Sequence, residues 1–566
     1  MVLLKRALST IVLLLSLSPA TAQTDAVLVE RVFAERDAEA YGAAVEAYFR
    51  ALEASPSGRY AEQLALVLPD SLTARPRDGA ALVRWWRSHD PIPTTPLHEG
   101  VVEHRLRVAQ ATAAFGADTP TGFDARGDVF VRFGTPTRRR VVDFEADLFI
   151  SRAIREEPSV RRSDFPQNEA WHYPALGPNV YFLFVRTPDG YREGTTMDLL
   201  PRALLAGGVG PEMQSRAELL GRAMRWIYKD LYVFSGDVRS RLVTLDNVVG
   251  GDGAAYSGNT GLQVVQEVQR ARQQDEQARE ERDERLPAAQ SRVLAEREAG
   301  TEWHAARFLD SDSSATVLVP WSQSAETLIR LAAPVGQAVP EAALLDVTVV
   351  RYDSAFRREG ARTERFAVPL DGSASGTQML VVPDVPRSGA IAVQWDQRPG
   401  DLNGRALTDE PLRASVGRAG DFHDLLPAGA AVGLSDLLLF DSAVTDEAGG
   451  YLDRANGLPA TGVTTTVKPG QNLTLYLEAY RPGDEPLPVD FEVAVEQRTA
   501  GGIFRRSRAA GAAVVTDRVL TNWRSPRTID LGAVPTDADE LTVRVTVTVE
   551  ETGEQVTRAV TLPVRD

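Results

Sequence analysis

Alternation of apolar and polar residues near the C-terminus is the feature that most constrains the fold. The apolar residues occupy every second position: Leu541, Val543, Val545, Val547 and Val549. Successive side chains of a β-strand point to opposite faces of the sheet, so the pattern predicts a strand with one buried face. A turn at Thr552-Gly553 and an apolar return over 556–564 predict an antiparallel partner.

The same two-residue period recurs through the C-terminal half of the chain. It is found at Leu473, Leu475 and Leu477, at Val489, Phe491, Val493 and Val495, and at Val347 and Val349, and 316–319 is a short apolar run. Many short strands separated by Gly, Pro and Asp turns are typical of antiparallel β-sandwich domains. The Gly- and Ala-rich stretch 426–433 predicts a boundary between a sandwich at 301–425 and an Ig-like sandwich at 432–566.

The N-terminal half has a different, helical pattern. We expect a helical region over 23–79, as an amphipathic hairpin or, alternatively, one tetratricopeptide-like repeat. Residues 201–300 are predicted to form a helical connector that includes a helix over 211–232. Its second helix, 262–285, is strongly polar and precedes Pro287, which is typical of a solvated or domain-bridging helix.

Residues 80–200 combine helix and strand signals and are predicted to form an α+β domain. A helix is expected from about Glu99 to Phe115, and strands are expected at Val129–Phe133 and Asn179–Val185. The fold class predicted for the whole chain is therefore multidomain α+β, with helices first and two β-sandwiches last.

The first 22 residues have the three parts of a secretory signal peptide. Lys5 and Arg6 precede an apolar core over 11–17, and Ala20-Thr21-Ala22 supplies a cleavage site. The apolar run is shorter than the roughly 20 residues of a membrane-spanning helix. We therefore expect cleavage after Ala22 and a periplasmic or secreted protein, with periplasm and cell surface left open.

Composition limits the partners of the exported chain. The net charge is −16, and loss of the two signal-peptide cations makes it −18, which disfavours nucleic acid and anionic membranes as partners. The absence of cysteine excludes disulfides, thiol nucleophiles and cysteine-based metal sites. Past the signal peptide, no segment approaches membrane-spanning length, and the sequence predicts neither a cofactor nor a metal site.

A set of landmarks follows in order over residues 86–184: Trp86, Asp90-Pro91, Pro93, Pro96, Glu99, Arg107-Val108, Phe115, Arg126-Gly127, Phe133-Gly134-Thr135-Pro136 and Glu169-Ala170-Trp171-His172-Tyr173. This ordered set resembles the GWxTD domain, a family of exported bacterial proteins of unassigned biochemical role. Where the family has Gly-Trp-x-Thr-Asp-Arg-Gly, this chain has Gly-Phe-Asp-Ala-Arg-Gly at 122–127. The resemblance implies an α+β domain at 80–200 and no particular activity.

Two arginines in this region are candidate ligand-binding residues. Arg126 and Arg138 follow neighbouring turns and could hold a carboxylate or phosphate, because guanidinium groups pair bidentately with such anions. The alternative is that Arg126 forms a structural ion pair with Asp90 or Glu169.

Glu169 and Trp171 lie two residues apart, hence on one face of an extended segment. A carboxylate beside an indole could act as an acid with a raised pKa or, with the ring, could bind a sugar. The alternative is a core tryptophan beside a salt bridge. The six histidines have no metal-ligand spacing, and the chain has no metalloprotease, serine-hydrolase or phosphate-loop motif.

Two functions follow as hypotheses. The first is a non-enzymatic envelope protein that binds a protein or glycan partner through its β-sandwiches. The second is a hydrolase or transferase whose cleft in the 80–200 domain is built from Asp90, Glu99, Arg126 and Glu169. Self-association through the helix 262–285 is a further possibility for a structural role.

Overall fold

A computed structural model describes residues 19–73, 76–144, 148–157, 160–205, 213–249, 258–287, 301–311, 314–323, 328–329, 339–370, 378–387, 389–408, 413–419, 424–443, 458, 463–483, 485–499, 506–514 and 519–565. Most of the predicted signal peptide, residues 1–18, lies outside these ranges. The fold is mixed α+β with antiparallel sheets, and the C-terminal region consists mainly of strands. The chain forms two compact units, an N-terminal unit (Met1–Trp86 with Glu99–Arg292) and a C-terminal unit (Arg87–His98 with Val293–Asp566). The finer division predicted from the sequence stays a prediction.

The N-terminal unit contains helices and one four-stranded sheet. Its helices are α1 (Pro19–Glu35), α2 (Tyr41–Ala54), α3 (Arg59–Ala65), α4 (Asp70–Thr73), α5 (Gly79–Ser88, whose last two residues belong to the C-terminal unit), α6 (Glu99–Phe115), α7 (Ala125–Phe133), α8 (Leu148–Glu156), α9 (Arg202–Leu205), α10 (Met213–Leu231), α11 (Gly236–Val249) and α12 (Gly258–Arg285). Its strands are β1 (Arg138–Arg140), β2 (Asn168–His172), β3 (Tyr181–Thr187) and β4 (Gly190–Gly194), in that order across an antiparallel sheet. The helix predicted from about Glu99 to Phe115 is confirmed as α6.

The first two helices pack against each other, as an amphipathic hairpin requires, and both contact α6. Arg105 of α6 is fully buried beside them, where its guanidinium donates to Gln63 at 2.6 Å and to Glu30 at 3.0 Å. The rings of Tyr48 and Tyr60 lie 5.2 and 4.7 Å from its central carbon. A buried charge needs such partners, so this arginine fixes where the hairpin packs.

The sheet of the N-terminal unit lies between two hydrophobic cores, because both faces of its central strands are apolar. Trp171, Phe182 and Phe184 belong to a core shared with α6 and α7. Ala170, Leu183 and Val185 point the other way, into a core shared with α8, α10, α11 and α12. The alternation of side chains along β2 and β3 therefore builds a helix–sheet–helix arrangement.

The strand predicted at Val129–Phe133 is wrong, because these residues form the last turns of helix α7. Asp124 begins the helix by accepting a hydrogen bond from the backbone N–H of Arg126 at 3.0 Å. Gly134 ends it, with φ +75° and an N–H that donates to Phe130 at 2.7 Å. These two caps, together with burial of Val129, Phe130 and Phe133, outweigh the strand preference of valine and phenylalanine.

The polar helix expected over 262–285 is present as α12, but it is not a solvated connector. Val264 and Ala271 are buried in the core shared with α10 and α11, and Asp275 is only 8% exposed. The helix is therefore part of the N-terminal unit. The charged residues that dominate its composition lie mainly on the face turned away from the core.

The C-terminal unit is built from antiparallel sheets. Its strands are β5 (Glu302–Trp303), β6 (Ala306–Leu309), β7 (Ser314–Ser322), β8 (Ala342–Tyr352), β9 (Arg358–Pro369), β10 (Gln378–Pro386), β11 (Ala390–Gly400), β12 (Arg413–Ala419), β13 (Gly433–Leu434), β14 (Leu438–Asp441), β15 (Asn472–Tyr480), β16 (Leu487–Thr499), β17 (Arg506–Val514), β18 (Val519–Leu520), β19 (Arg524–Ala533), β20 (Glu540–Val549) and β21 (Gln555–Pro563). The sheet orders are β10-β7-β5 with β6 on β7, β12-β11-β8-β9, β13-β15-β14 with β19 on β15, and β17-β16-β20-β21 with β18 on β16.

The sheets share cores in pairs. The sheets of β7 and β8 enclose one hydrophobic core, and those of β15 and β20 enclose another. The predicted hairpin near the C-terminus is confirmed, with Val543 opposite Val560 and the odd-numbered residues of β20 buried. The alternation does not hold for β8, where Asp346 and Thr348 are buried as well as Val347 and Val349, because both faces of this strand are covered.

A short segment from the N-terminal part of the sequence, Arg87–His98, belongs to the C-terminal unit. Its Thr94 hydroxyl donates to the Gln394 side chain of β11 at 2.9 Å. Arg358 of β9 donates to the carbonyls of Thr95 at 2.9 Å and Thr94 at 3.3 Å. The segment thus lies against the sheet β12-β11-β8-β9.

Candidate functional site

Of the four charged residues predicted to line a cleft, the structure brings Arg126 and Glu169 together. The Nη1 of Arg126 lies 3.3 Å from the Oε2 of Glu169, and its Nη2 donates to Asp124 at 2.8 Å. Asp124 also accepts from the backbone N–H of Tyr191 at 3.1 Å, which joins β4 to the start of α7. Arg126 therefore pairs with Glu169, one of the two partners named by the structural alternative, and more closely with Asp124, which that alternative did not name.

The electrostatics of this cluster follow from its partial burial. Burial alone would lower the pKa of Arg126, but the carboxylates of Asp124 and Glu169 outweigh it and raise that pKa. The guanidinium carbon is also 3.7 Å from the Tyr191 ring centre and 4.9 Å from that of Phe115. An incoming anion would have to displace these partners of Arg126. The arrangement therefore favours a structural role for the charge of Arg126 over the binding of an anion.

Glu99 is distant from this cluster. Glu99 begins α6, whereas the guanidinium of Arg126 lies against Phe115 at the other end of that 17-residue helix. At 1.5 Å per residue the two helix ends are about 24 Å apart. Asp90 belongs to the segment that is part of the C-terminal unit, where its carboxylate accepts from the backbone N–H of Ile92 at 3.2 Å.

Trp171 is fully buried, so its ring is not open to a ligand in this structure. The rings of Phe115 and Phe184 lie 5.4 and 4.9 Å from it, and the Arg139 guanidinium lies 4.6 Å from its centre. Arg139 also reaches Glu169, at 3.8 Å. These contacts fit the alternative of a core tryptophan beside a salt bridge.

Arg138 is exposed on β1, opposite His172 of β2. Burial lowers the pKa of His172, and the positive charge of Arg138 adds to this effect. The His172 ring stacks on Phe234 at 5.0 Å. Helix α7, rather than the strand predicted at Val129–Phe133, lies between the turns of Arg126 and Arg138.

A cavity that the sequence did not predict lies elsewhere in the N-terminal unit, and we call it the α11–α12 cavity. It has a volume of about 390 Å³ and is lined by β3, β4, the segment 176–180, α11 and α12. Its polar lining includes Asn179, Glu193, Thr196, Arg241, Asp275 and Arg282. Cavities of this size with convergent polar groups are typical of small-molecule sites.

Asp275 of α12, with a side chain 6% exposed, forms an ion pair with Arg241 of α11 in the cavity. Asp275 also accepts from the backbone N–H of Thr196 at 2.9 Å and from its hydroxyl. Burial opposes the charge of Arg241, but Asp275 outweighs it and raises the pKa of that guanidinium. Burial, reinforced by the negative charge of Asp275, raises the pKa of Tyr181 and Tyr228 above the usual range.

A second pair lines the cavity where α12 meets β4. Arg282 donates to Glu193 at 2.6 Å and to the carbonyl of Tyr181 at 3.1 Å. Burial opposes its charge, but Glu193 outweighs it and raises the pKa of Arg282. One pair joins α12 to α11 and the other joins α12 to β4, so charges on three elements hold the cavity walls.

The sequence contained one signal of this cavity. Val264, Val268, Ala271, Asp275, Ala278 and Arg282 recur at intervals of four and three residues along 262–285. That spacing places them on one helix face, so the apolar stripe at the start of α12 continues into the cavity residues. The stripe is hard to recognise in the sequence because many of the neighbouring residues are charged.

Comparison with known proteins gives no further assignment. No family model matches the chain, and no curated protein is significantly similar to it in sequence. The resemblance to the GWxTD domain thus stays a prediction. Within the described residues, no helix combines the length and apolar character that crossing a membrane requires.

Proposed function

We propose that this chain is an exported, non-enzymatic protein of the bacterial envelope that binds a protein partner through its C-terminal half. In this proposal 301–425 and 432–566 are two β-sandwich domains, the second Ig-like, and 80–200 is a GWxTD-like domain that organises the N-terminal part. The binding role is supported over a hydrolase or transferase because Arg126 and Glu169 are paired with each other and Glu99 is distant.

The observation that carries the proposal is the edge strand β9. This strand is twelve residues long and ends its sheet in the order β12-β11-β8-β9, and among the described strands it pairs only with β8. Most of its residues from Arg358 to Thr363 are exposed. An edge strand presents backbone N–H and C=O groups that an extended segment of another protein can pair with.

The side chains of β9 would restrict which segment can pair. Charged residues on an edge strand discourage indiscriminate pairing, and β9 carries Arg362 and Glu364, which lie 3.7 Å apart. Arg358 and Arg365 are engaged inside the chain, with Thr94 and Thr95 and with Asp346. A partner strand with complementary charges opposite Arg362 and Glu364 would be favoured.

The experiment is site-specific photo-crosslinking of the full-length exported protein in its native envelope. A photoreactive residue at Ala361 on β9 should give a discrete adduct, and one at Ala559 on β21, also exposed, should not. Equal adducts at both positions, or none at Ala361, would contradict the proposal. Glycan binding by the purified protein without a protein adduct would favour a glycan partner instead.

A pair of proline variants tests the pairing itself. Backbone N–H groups point alternately to the two edges of a strand, so Ala361→Pro and Arg362→Pro remove one outward and one inward donor. With the photoreactive residue moved to Glu359, another exposed position of β9, the outward proline should abolish the adduct while the protein stays folded. The inward proline should disturb the pairing with β8. Arg362→Ala is the control for loss of the arginine side chain.

A further inference from the structure

The α11–α12 cavity is lined by balanced charges. Four carboxylates and four arginines face it, and the two most buried arginines, Arg241 and Arg282, are each paired with a carboxylate of the cavity. A charged ligand would have to compete with one member of a pair for the other, which is unfavourable in a buried site. The balance therefore favours a ligand without net charge.

The pairs still leave hydrogen-bonding capacity for such a ligand. Arg282 and Arg279 both reach Oε1 of Glu193, at 2.6 and 3.7 Å, so Oε2 can accept from a ligand hydroxyl. Asn179 accepts from the backbone N–H of Gly236 at 3.1 Å through Oδ1, so its side-chain NH₂ can donate. The cavity thus offers both donors and acceptors near one another.

Part of the cavity wall is apolar. Leu176, Val180, Leu183, Val238 and Leu286 line it together with the ring of Tyr181. A ligand that fits has hydroxyl groups on one side and C–H groups on another. Sugar rings have this distribution, and a cavity of about 390 Å³ has room for one or two of them.

We propose that the α11–α12 cavity binds a neutral saccharide of one or two rings, with Glu193 and Asn179 bonding its hydroxyls. This site lies in the N-terminal unit and is separate from the partner-binding edge proposed for β9. Loss of one function in a variant therefore does not imply loss of the other.

The test is isothermal titration of the full-length exported protein with matched sugars. The neutral probes are N-acetylglucosamine, maltose and diacetylchitobiose, and the charged counterparts are glucosamine and glucuronate. We expect at least one neutral probe to bind with a Kd near or below about 1 mM, and the charged counterparts to bind at least about tenfold more weakly. Equal or tighter binding of a charged sugar, or no binding of any neutral probe, would overturn the proposal.

Variants place the binding in the cavity. Ala278 is an exposed residue of α12 that lines the cavity, so Ala278→Phe should fill it and weaken sugar binding at least about tenfold. Gln273→Phe, on an exposed position of the same helix outside the cavity, is the matched control and should bind as the unmodified chain does. Unchanged binding by Ala278→Phe would show that the sugar binds elsewhere and would overturn the assignment.

Discussion

Removing Arg241 tests whether the cavity charges hold the N-terminal unit together. The side chains of Arg241 and Asp275 are 13% and 6% exposed, so Arg241→Met leaves a buried carboxylate without its cation. Breaking such a pair costs about 3–5 kcal/mol. We expect a cost at the lower end of this range, about 3 kcal/mol, because Asp275 keeps the two hydrogen bonds that it accepts from Thr196. In a unit of this size that corresponds to a fall in Tm of about 6 °C.

The assay is urea unfolding followed by hydrogen exchange in peptides from α11 and α12, which reports on this unit alone. Arg241→Met combined with Asp275→Asn should recover at least half of the loss, because the amide needs no counter-charge and its oxygen still accepts from Thr196. Arg270→Met is the control, since Arg270 is 58% exposed and pairs with Glu267 on the surface. A cost below about 1 kcal/mol for Arg241→Met, typical of an exposed pair, would refute the reasoning.

Three further predictions concern other parts of the chain. Gly134→Ala should lower the free energy of unfolding by about 1–2 kcal/mol in urea titration, because a φ of +75° strains any residue with a Cβ. An equal loss for Gly42→Ala, inside helix α2, would contradict this reasoning. Burial raises the pKa of Asp128 to about 6, above its unfolded value, so this carboxyl stabilises the fold below pH 4 and that contribution is lost as the pH rises to 6. Asp128→Asn should therefore gain stability relative to the unmodified chain between pH 4 and 7, and a pH-independent difference would count against the assignment. Mass spectrometry of the exported protein should find Gln23 at the N-terminus, and a chain that retains residues 1–22 would refute the predicted cleavage after Ala22.

The sequence predicted those elements whose pattern is local. The alternation of β20 and the polar turn before β21 needed no tertiary information, because one face of that strand is buried and the other is exposed. At β8 the alternation does not predict which residues are buried, because Asp346 forms an ion pair with Arg365 and is buried by neighbours distant in sequence. Burial on both faces is a tertiary property that a two-residue period does not report.

The candidate site was harder to predict, because the role of a charged residue depends on partners that are distant in sequence. The sequence singles out Arg126, but its nearest partner, Asp124, is also the residue that caps α7, and the strand predicted at 129–133 leaves no place for that cap. The cavity depends on Asp275 meeting Arg241 and Thr196, which lie 34 and 79 positions away. Composition alone could not distinguish those contacts from a solvated helix.

The segment Arg87–His98 has a consequence for how the gene can be divided. The chain passes between the two units after Trp86, after His98 and again after Arg292, so neither unit is a single stretch of sequence. A fragment that begins near residue 301 would lack Thr94 and Thr95 and would leave Gln394 and Arg358 without these partners. For the same reason, a single proteolytic cut between 288 and 300 would leave Arg87–His98 covalently attached to the N-terminal unit, and noncovalent contacts such as those of Thr94 and Thr95 would hold it to the rest of the C-terminal unit. Truncation at the apparent boundary of the strand-rich half would therefore remove a part of the unit it was meant to isolate.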